Sequence, residues 1–214
     1  ETSGLEGFHL VKPEPVTWIT PDQALVRGML LKPPSLEPGK KYPLLVYVYG
    51  GPRVPTIRDA WQPSRGRYLF HQYLARKGYV IAYVDDRTSS RLGHRYETAA
   101  RFNYGPVALR DYVFAAEQLG KLDFVDPERI AIWGWSGGGF STCFALTHTK
   151  QFKLGIAVAP VTDWRLYDSI YTERYMGDPR EQAEAYRRTS AVEAAADLHG
   201  RLLLVHPTAD DNVH

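Results

Sequence analysis

The segment 134–138, with the sequence GWSGG, constrains the fold of this 214-residue chain more than any other segment. An apolar run at 130–135 predicts a buried strand before it, and the pattern at 140–147 predicts a helix after it. In the pattern G-x-S-x-G the serine occupies a turn too tight for side chains at the glycine positions. We therefore predict that Ser136 is exposed beside the N-terminal amide groups of a helix, which favour negative charge. A turn that serves packing, or a phosphate cradle, is the alternative interpretation.

Apolar runs alternate with helical patterns along the rest of the chain, which is typical of the α/β class. The predicted strands cover residues 24–31, 44–49, 79–84, 130–135, 154–158 and 202–206. The predicted helices cover residues 67–76, 106–119 and 140–147, with a helical insert over about 164–196. The run at 44–49 has no polar alternation and predicts a strand buried on both faces. We expect a mostly parallel central sheet with helices on both faces.

Charge and composition exclude several classes of protein. The formal net charge is +2, and no long basic run is present, so nucleic acid is not expected as a partner. The apolar stretches are shorter than the roughly 18 residues that a membrane-spanning helix needs, so no membrane segment is expected. The single cysteine, Cys143, excludes an intrachain disulfide and the paired spacing of cysteine metal ligands. Neither a metal nor an organic cofactor is implied.

A carboxylate follows Ser136 in the sequence, at a position that suits a catalytic acid. A serine becomes an effective nucleophile when an imidazole accepts its proton and a carboxylate orients that imidazole. In α/β-hydrolases these groups follow the chain order serine, acid, histidine. Asp210 comes directly after the last predicted strand and is the predicted acid. Its neighbour Asp211 is the competitor, and a solvated carboxylate in a turn is the plainer interpretation of Asp210.

The base has no comparable candidate. His214 lies four positions after Asp210 in the same loop, whereas a crossover between parallel strands takes about a dozen residues. The other histidines precede the acid and are His9, His71, His94, His148, His199 and His206. We therefore expect the catalytic histidine to be absent from this chain, and the chain by itself to be inactive.

Five blocks of sequence carry a family resemblance. They are YVYGGP at 47–52, IAIWGWS at 130–136, GIAVAPV at 155–161, YTERYMG at 171–177 and TADDNVH at 208–214. In this order they resemble the prolyl oligopeptidase family of serine peptidases, and within it the dipeptidyl peptidase IV branch. The resemblance covers roughly residues 20–214. It implies an α/β-hydrolase fold and a peptide substrate, cleaved after proline or alanine through an acyl-enzyme, with release of N-terminal dipeptides.

The resemblance also implies roles for particular residues. The Tyr49 hydroxyl and the backbone N–H of Gly137 would stabilise the oxyanion, and Asn212 would hold a substrate carbonyl. A pocket for the proline ring would consist of Val161, Trp164, Tyr167, Tyr171 and Val213. On spacing alone, the aromatic members of this set would share one helical face, which is more often plain core. Gly137 departs from the branch, where mammalian-type enzymes carry tyrosine, and we expect this to alter selectivity.

Domain organisation follows from the same resemblance. Residues 1–40 would be the lead-in from an N-terminal β-propeller, and residues 41–214 would be a hydrolase domain that is incomplete at its C-terminus. The chain opens with Glu1 rather than Met, which agrees with a fragment. An open sheet edge would invite pairing with a second copy, so a homodimer is one expected partner state. The alternatives are an oligopeptidase, acylaminoacyl peptidase or esterase of the same fold, or a non-catalytic truncated scaffold.

Overall fold

The computed structural model describes residue 7 and residues 9–58, 65–89 and 92–213. The strands are β1 (Glu14–Ile19), β2 (Leu25–Leu31), β3 (Tyr42–Tyr47), β4 (Val80–Asp85), β5 (Val125–Trp135), β6 (Leu154–Val158) and β7 (Arg201–Val205). The α-helices are α1 (Arg65–Arg76), α2 (His94–Glu97), α3 (Pro106–Gly120), α4 (Gly137–His148), α5 (Ser169–Met176) and α6 (Ala183–Arg188). Short 3-10 turns cover Thr98–Ala100, Trp164–Leu166 and Ala195–Asp197.

The seven strands form one sheet in the order β1-β2-β4-β3-β5-β6-β7. Strand β2 runs antiparallel to both β1 and β4, and the other neighbouring pairs are parallel. Because parallel neighbours end at the same edge, the C-terminal ends of β3, β5 and β6 lie side by side. The prediction of a mostly parallel sheet is confirmed, and that edge carries the candidate site.

Helices cover both faces of the sheet, as predicted. On one face, Val46 of β3 and Ala82 of β4 pack in a core with Ala115 of α3, and α4 contributes to the same core. On the other face, Tyr47 and the side chains beside it pack against Ala75 of α1. The central strands are therefore apolar on both sides, which explains the uninterrupted apolar run at β3. None of the described helices combines the length and apolarity needed to cross a bilayer.

Some elements differ from the sequence prediction. The sheet gains β1, which was not predicted because Pro15 and a half-exposed surface weaken its strand pattern. Strand β5 begins at Val125, five residues before the predicted start at residue 130. The predicted insert over 164–196 consists of short helices rather than one long one, because Gly177 ends α5 at a φ of 72°.

Candidate active site

The turn between β5 and α4 holds Ser136 in the left-handed region of backbone space. Its φ is 56° and its ψ is −115°, a conformation that costs energy for a residue with a side chain. The Ser136 N–H donates to Val158 O at 2.8 Å, and Ser136 O accepts from Phe140 N at 2.9 Å. These two bonds join the turn to β6 and to the first turn of α4. Ser136 itself is partly exposed at the edge of the sheet.

Steric contacts explain two of the glycines around the serine. A Cβ atom at Gly134 would lie 2.4 Å from Val48 O, and one at Gly138 would lie 2.2 Å from the same oxygen. Val48 directly follows the central strand β3 and is fully buried, so its backbone cannot move away to relieve such contacts. A Cβ atom at Gly137 would meet Gly50 O at 3.3 Å, which is tight but tolerable. Glycine is therefore required at Gly134 and Gly138, whereas a Cβ atom at Gly137 meets milder contacts.

Tyr49 lies two residues beyond the end of β3, beside the serine turn. The Val48 N–H donates to Trp133 O at 3.0 Å and keeps this segment against β5. Gly50 follows with a φ of 73°, which turns the chain away from the sheet. Among the described residues, no hydrogen bond engages the Tyr49 hydroxyl. The hydroxyl is therefore available to a bound group.

A cavity of about 80 Å³ adjoins the serine. Its walls are Tyr49, Gly50, Val54, Ser136, Gly137, Val161, Trp164, Tyr167 and Tyr171. The structure thus brings the predicted nucleophile, both predicted oxyanion donors and four of the predicted pocket residues to one place. Val54 and Gly50 were not in the predicted set. Most of the wall is aromatic or aliphatic, so the cavity suits a small apolar side chain.

Trp164, Tyr167 and Tyr171 do not share one helix, contrary to the expectation from their spacing. Trp164 lies in a 3-10 turn, whereas Tyr171 belongs to α5. The chain bends between them because the Asp168 side chain caps α5, accepting from Tyr171 N at 2.8 Å. The rings still converge: the Trp164 centroid lies 5.9 Å from that of Tyr167 and 6.1 Å from that of Tyr171.

The loop after β7 carries Asp210, Asn212 and Val213. The Asp210 Oδ1 atom accepts from the backbone N–H groups of Asn212 at 3.0 Å and Val213 at 2.9 Å. Val213 is buried in the cluster that also contains Trp164. The Tyr167 hydroxyl donates to Asn212 Oδ1 at 3.3 Å. The loop therefore packs against the aromatic wall, although Asp210, Asn212 and Val213 do not border the cavity.

One histidine lies near the predicted acid. His206 Nε2 is 3.9 Å from Asp210 Oδ2, beyond hydrogen-bonding distance, and 2.8 Å from Val213 O. A carbonyl oxygen only accepts hydrogen bonds. His206 Nε2 therefore carries a proton and donates a hydrogen bond to Val213 O. His206 thus closes the loop. His214, which we predicted not to be the base, lies outside the described residues.

Asp85 at the end of β4 anchors the loop that follows Tyr49. Its carboxylate accepts from Thr56 N at 2.8 Å, from Thr56 Oγ1 at 2.6 Å and from Ile57 N at 3.0 Å. Burial raises the pKa of Asp85 to about 6, and these donors act in the opposite direction. The same loop brings Val54 to the cavity. The sequence carried no signal for this anchor, because Asp85 and Thr56 meet only in the folded sheet.

Comparisons with known proteins identify the family of the chain. A model of the prolyl oligopeptidase family matches residues 68–214, which is more than half of the chain. The chain belongs to the prolyl oligopeptidase family. The "Probable dipeptidyl-aminopeptidase B" of Aspergillus clavatus is 40% identical to this family member over 200 residues, covering 92% of this chain and 21% of that protein. The protein of the same name from Blastomyces gilchristii is 41% identical over 201 residues.

A solved structure shares the fold. Porphyromonas gingivalis dipeptidyl peptidase 4 superposes with a TM-score of 0.89 at 40% identity, covering 96% of this chain and 29% of that one. The predicted α/β-hydrolase fold is thereby confirmed for this member of the prolyl oligopeptidase family. The chain spans about a fifth of the length of the curated relatives that it matches.

Proposed function

We propose that this chain is the catalytic domain of a serine peptidase that cleaves after proline or alanine and releases N-terminal dipeptides. One observation carries the proposal: Ser136, Tyr49 and Gly137 border the same small cavity as the aromatic rings. A nucleophile, two oxyanion donors and an apolar pocket are the parts that acyl transfer needs. The names of the relatives, which are dipeptidyl peptidases, support release of dipeptides.

The proposed reaction begins at the Ser136 hydroxyl. Its oxygen attacks the carbonyl carbon of the scissile bond while a base takes its proton. The carbonyl oxygen becomes an oxyanion and accepts from the Tyr49 hydroxyl and the Gly137 N–H. The C–N bond then breaks, and the amine leaves with the proton from the base. Water attacks the resulting ester of Ser136, releases the peptide acid and restores the serine.

The pocket accounts for the residue at the cleavage site. A proline ring is flat, apolar and small, and the rings of Trp164, Tyr167 and Tyr171 offer it an apolar wall beside Ser136. Asn212 accepts from Tyr167 through Oδ1, so its amide Nδ2 can donate to a substrate carbonyl. Alanine fits the same space with fewer contacts. The pocket therefore favours proline over alanine and both over larger residues.

Among the described residues, no histidine follows Asp210 to serve as the base of the triad. His206 precedes the acid in the chain, and its Nε2 is occupied by Val213 O. We therefore propose that Asp210 orients a histidine that follows it in a longer polypeptide. This histidine would be carried by the longer chain rather than by the loop of Asp210.

Labelling with a fluorophosphonate probe tests the proposal. The probe is offered to this chain and to a longer polypeptide that continues past residue 214 to a further histidine. We expect labelling of the longer form alone, and its loss in Ser136→Ala but not in the matched variant Ser169→Ala, which changes an exposed serine of α5. If neither form is labelled, the proposed peptidase function would fail and only the fold assignment would remain. Labelling that survives Ser136→Ala would refute Ser136 as the nucleophile.

A second copy of the chain is the proposed partner of β7. This strand is the last in the sheet order, and Leu203, Leu204 and Val205 are exposed in it. An edge strand with apolar side chains is a template for pairing. We expect self-association of this chain, and light scattering that shows a monomer at high concentration would contradict it.

A further inference from the structure

Tyr104 lies directly behind the aromatic wall of the cavity. It belongs to the segment between α2 and α3, and only 6% of its surface is exposed. Its ring centroid is 4.5 Å from that of Trp164 and 6.3 Å from that of Tyr171. Tyr104 does not border the cavity itself, but it contacts two residues that do. Tyr104 therefore supports the aromatic wall from the side that faces the protein interior.

The hydroxyl groups of Tyr104 and Tyr171 form one hydrogen bond of 2.8 Å. This pair is wedged against the loop that carries Tyr49. A Cβ atom at Gly51 would lie 2.6 Å from the Tyr104 hydroxyl and 3.2 Å from the Tyr171 hydroxyl. Gly51 also has a φ of 113°, which only glycine adopts readily. The bonded pair thus joins the aromatic wall to the loop of the proposed oxyanion donor.

The direction of this bond follows from burial. One hydroxyl donates, and the other keeps a proton that needs another acceptor. Tyr104 is closed off from solvent, whereas Tyr171 is partly exposed and borders the cavity. A buried O–H without an acceptor is costly, so Tyr104 donates and Tyr171 accepts. The Tyr171 proton then remains for water or for a bound molecule. Burial raises the pKa of both hydroxyls, so both stay neutral at ordinary pH.

We propose that Tyr104 is a specificity-determining residue that acts by positioning Tyr171. Its hydrogen bond fixes the distance between the Tyr171 ring and the loop of Tyr49, and thereby the width of the pocket at Ser136. Without the bond, the ring is free to tilt and the pocket no longer matches a five-membered ring. The inference rests on the proposed function, because it assigns the residue that makes the pocket prefer proline.

Removal of one oxygen atom tests the inference. In the whole protein, Tyr104→Phe keeps the ring contacts and deletes the bond. We expect the ratio of kcat/KM for alanyl-prolyl to alanyl-alanyl anilide to fall about three- to tenfold, as one hydrogen bond allows. We expect this fall to come from a higher KM for the prolyl substrate, and the rate of fluorophosphonate labelling of Ser136 should stay within about twofold.

Tyr186→Phe is the matched control. Its hydroxyl donates to Gly177 O at 2.8 Å, it is buried in the same aromatic cluster, and it does not border the cavity. We expect no change in selectivity from this variant. Equal effects of Tyr104→Phe and Tyr186→Phe would mean a general loss of packing and would overturn the inference.

A double-variant cycle tests the shared bond itself. Because Tyr104 and Tyr171 use one bond, Tyr104→Phe combined with Tyr171→Phe should reduce selectivity no further than the larger single change does. Additive effects would show that the hydroxyls act separately and would overturn the inference.

Binding separates failure of this inference from failure of the proposed function. Tryptophan fluorescence follows binding of alanyl-pyrrolidide, which carries the five-membered ring and needs no turnover. We expect the Kd to rise about three- to tenfold in Tyr104→Phe and to stay unchanged in Tyr186→Phe. Such binding without hydrolysis of any anilide would contradict the proposed function alone. An unchanged Kd in Tyr104→Phe, or no binding by the unmodified protein, would overturn the inference.

Discussion

Asp210 Oδ1 accepts the backbone N–H of Val213 at 2.9 Å, so the predicted triad acid also shapes the end of the pocket cluster. Val213 is buried beside Trp164, and its carbonyl accepts from His206. One carboxylate oxygen is thus engaged with the loop, while Oδ2 faces His206 at 3.9 Å. Oδ1 therefore holds the loop in place, and we propose that the charge of the Asp210 carboxylate orients the catalytic imidazole.

The proposed role of the carboxylate predicts the effect of Asp210→Asn. The amide oxygen keeps an acceptor for the loop, but the negative charge that stabilises an imidazolium is lost. We expect kcat for alanyl-prolyl anilide in the whole protein to fall about 10⁴-fold, with little change in Tm. The matched variant Asp211→Asn changes an exposed neighbour and should stay within about twofold of the unmodified rate. Equal losses in both variants would show that Asp210 is not the acid.

The glycines around Ser136 predict opposite outcomes for neighbouring positions. Gly138→Ala places a methyl group 2.2 Å from Val48 O, so we expect a loss of about 3 kcal/mol in the free energy of unfolding. Gly137→Ala meets its nearest atoms at 3.3 Å and should change that free energy by less than about 1 kcal/mol. Urea unfolding of both variants measures the difference. A stable Gly138→Ala protein would contradict the steric account.

The milder contacts at Gly137 make a test of selectivity feasible. A tyrosine there keeps the backbone N–H for the oxyanion and adds a side chain at the mouth of the cavity. We expect Gly137→Tyr to change the ratio of kcat/KM for prolyl and alanyl anilides by about threefold or more, with labelling of Ser136 retained. Unchanged relative rates on the two substrates would refute the view that Gly137 alters selectivity.

The sequence predicted the parts of the site whose causes are local. The strand, turn and helix around Ser136 follow from apolar runs and two sterically required glycines, and β6 has the predicted bounds. The proposed role of Tyr104 could not be predicted from the sequence, because its partner Tyr171 is 67 residues away. The contact arises only when α5 folds over the sheet edge. Strand β1 was missed because its pairing with β2, not its own pattern, stabilises it.

His71 shows a similar long-range arrangement on the opposite face of the sheet. Its side chain has no exposed surface. The Trp133 Nε1–H donates to His71 Nε2 at 3.1 Å, and His71 Nδ1 lies 2.6 Å from the Tyr83 hydroxyl. Because the indole only donates, Nε2 is the acceptor and the proton of the neutral ring is on Nδ1. Burial lowers the pKa of His71 to about 3.

This lowered pKa predicts how stability depends on pH. Below pH 6.5 the unfolded chain protonates His71, but the folded chain does not until about pH 3, so stability is lost as the pH falls. His71 should contribute a slope of about 1.4 kcal/mol per pH unit between pH 4 and 6. Urea unfolding at several pH values should show a flatter slope in His71→Gln than in the unmodified protein. His94→Gln, at an exposed position of α2, should keep the original slope. Identical slopes in all three proteins would show that His71 is charged in the folded state.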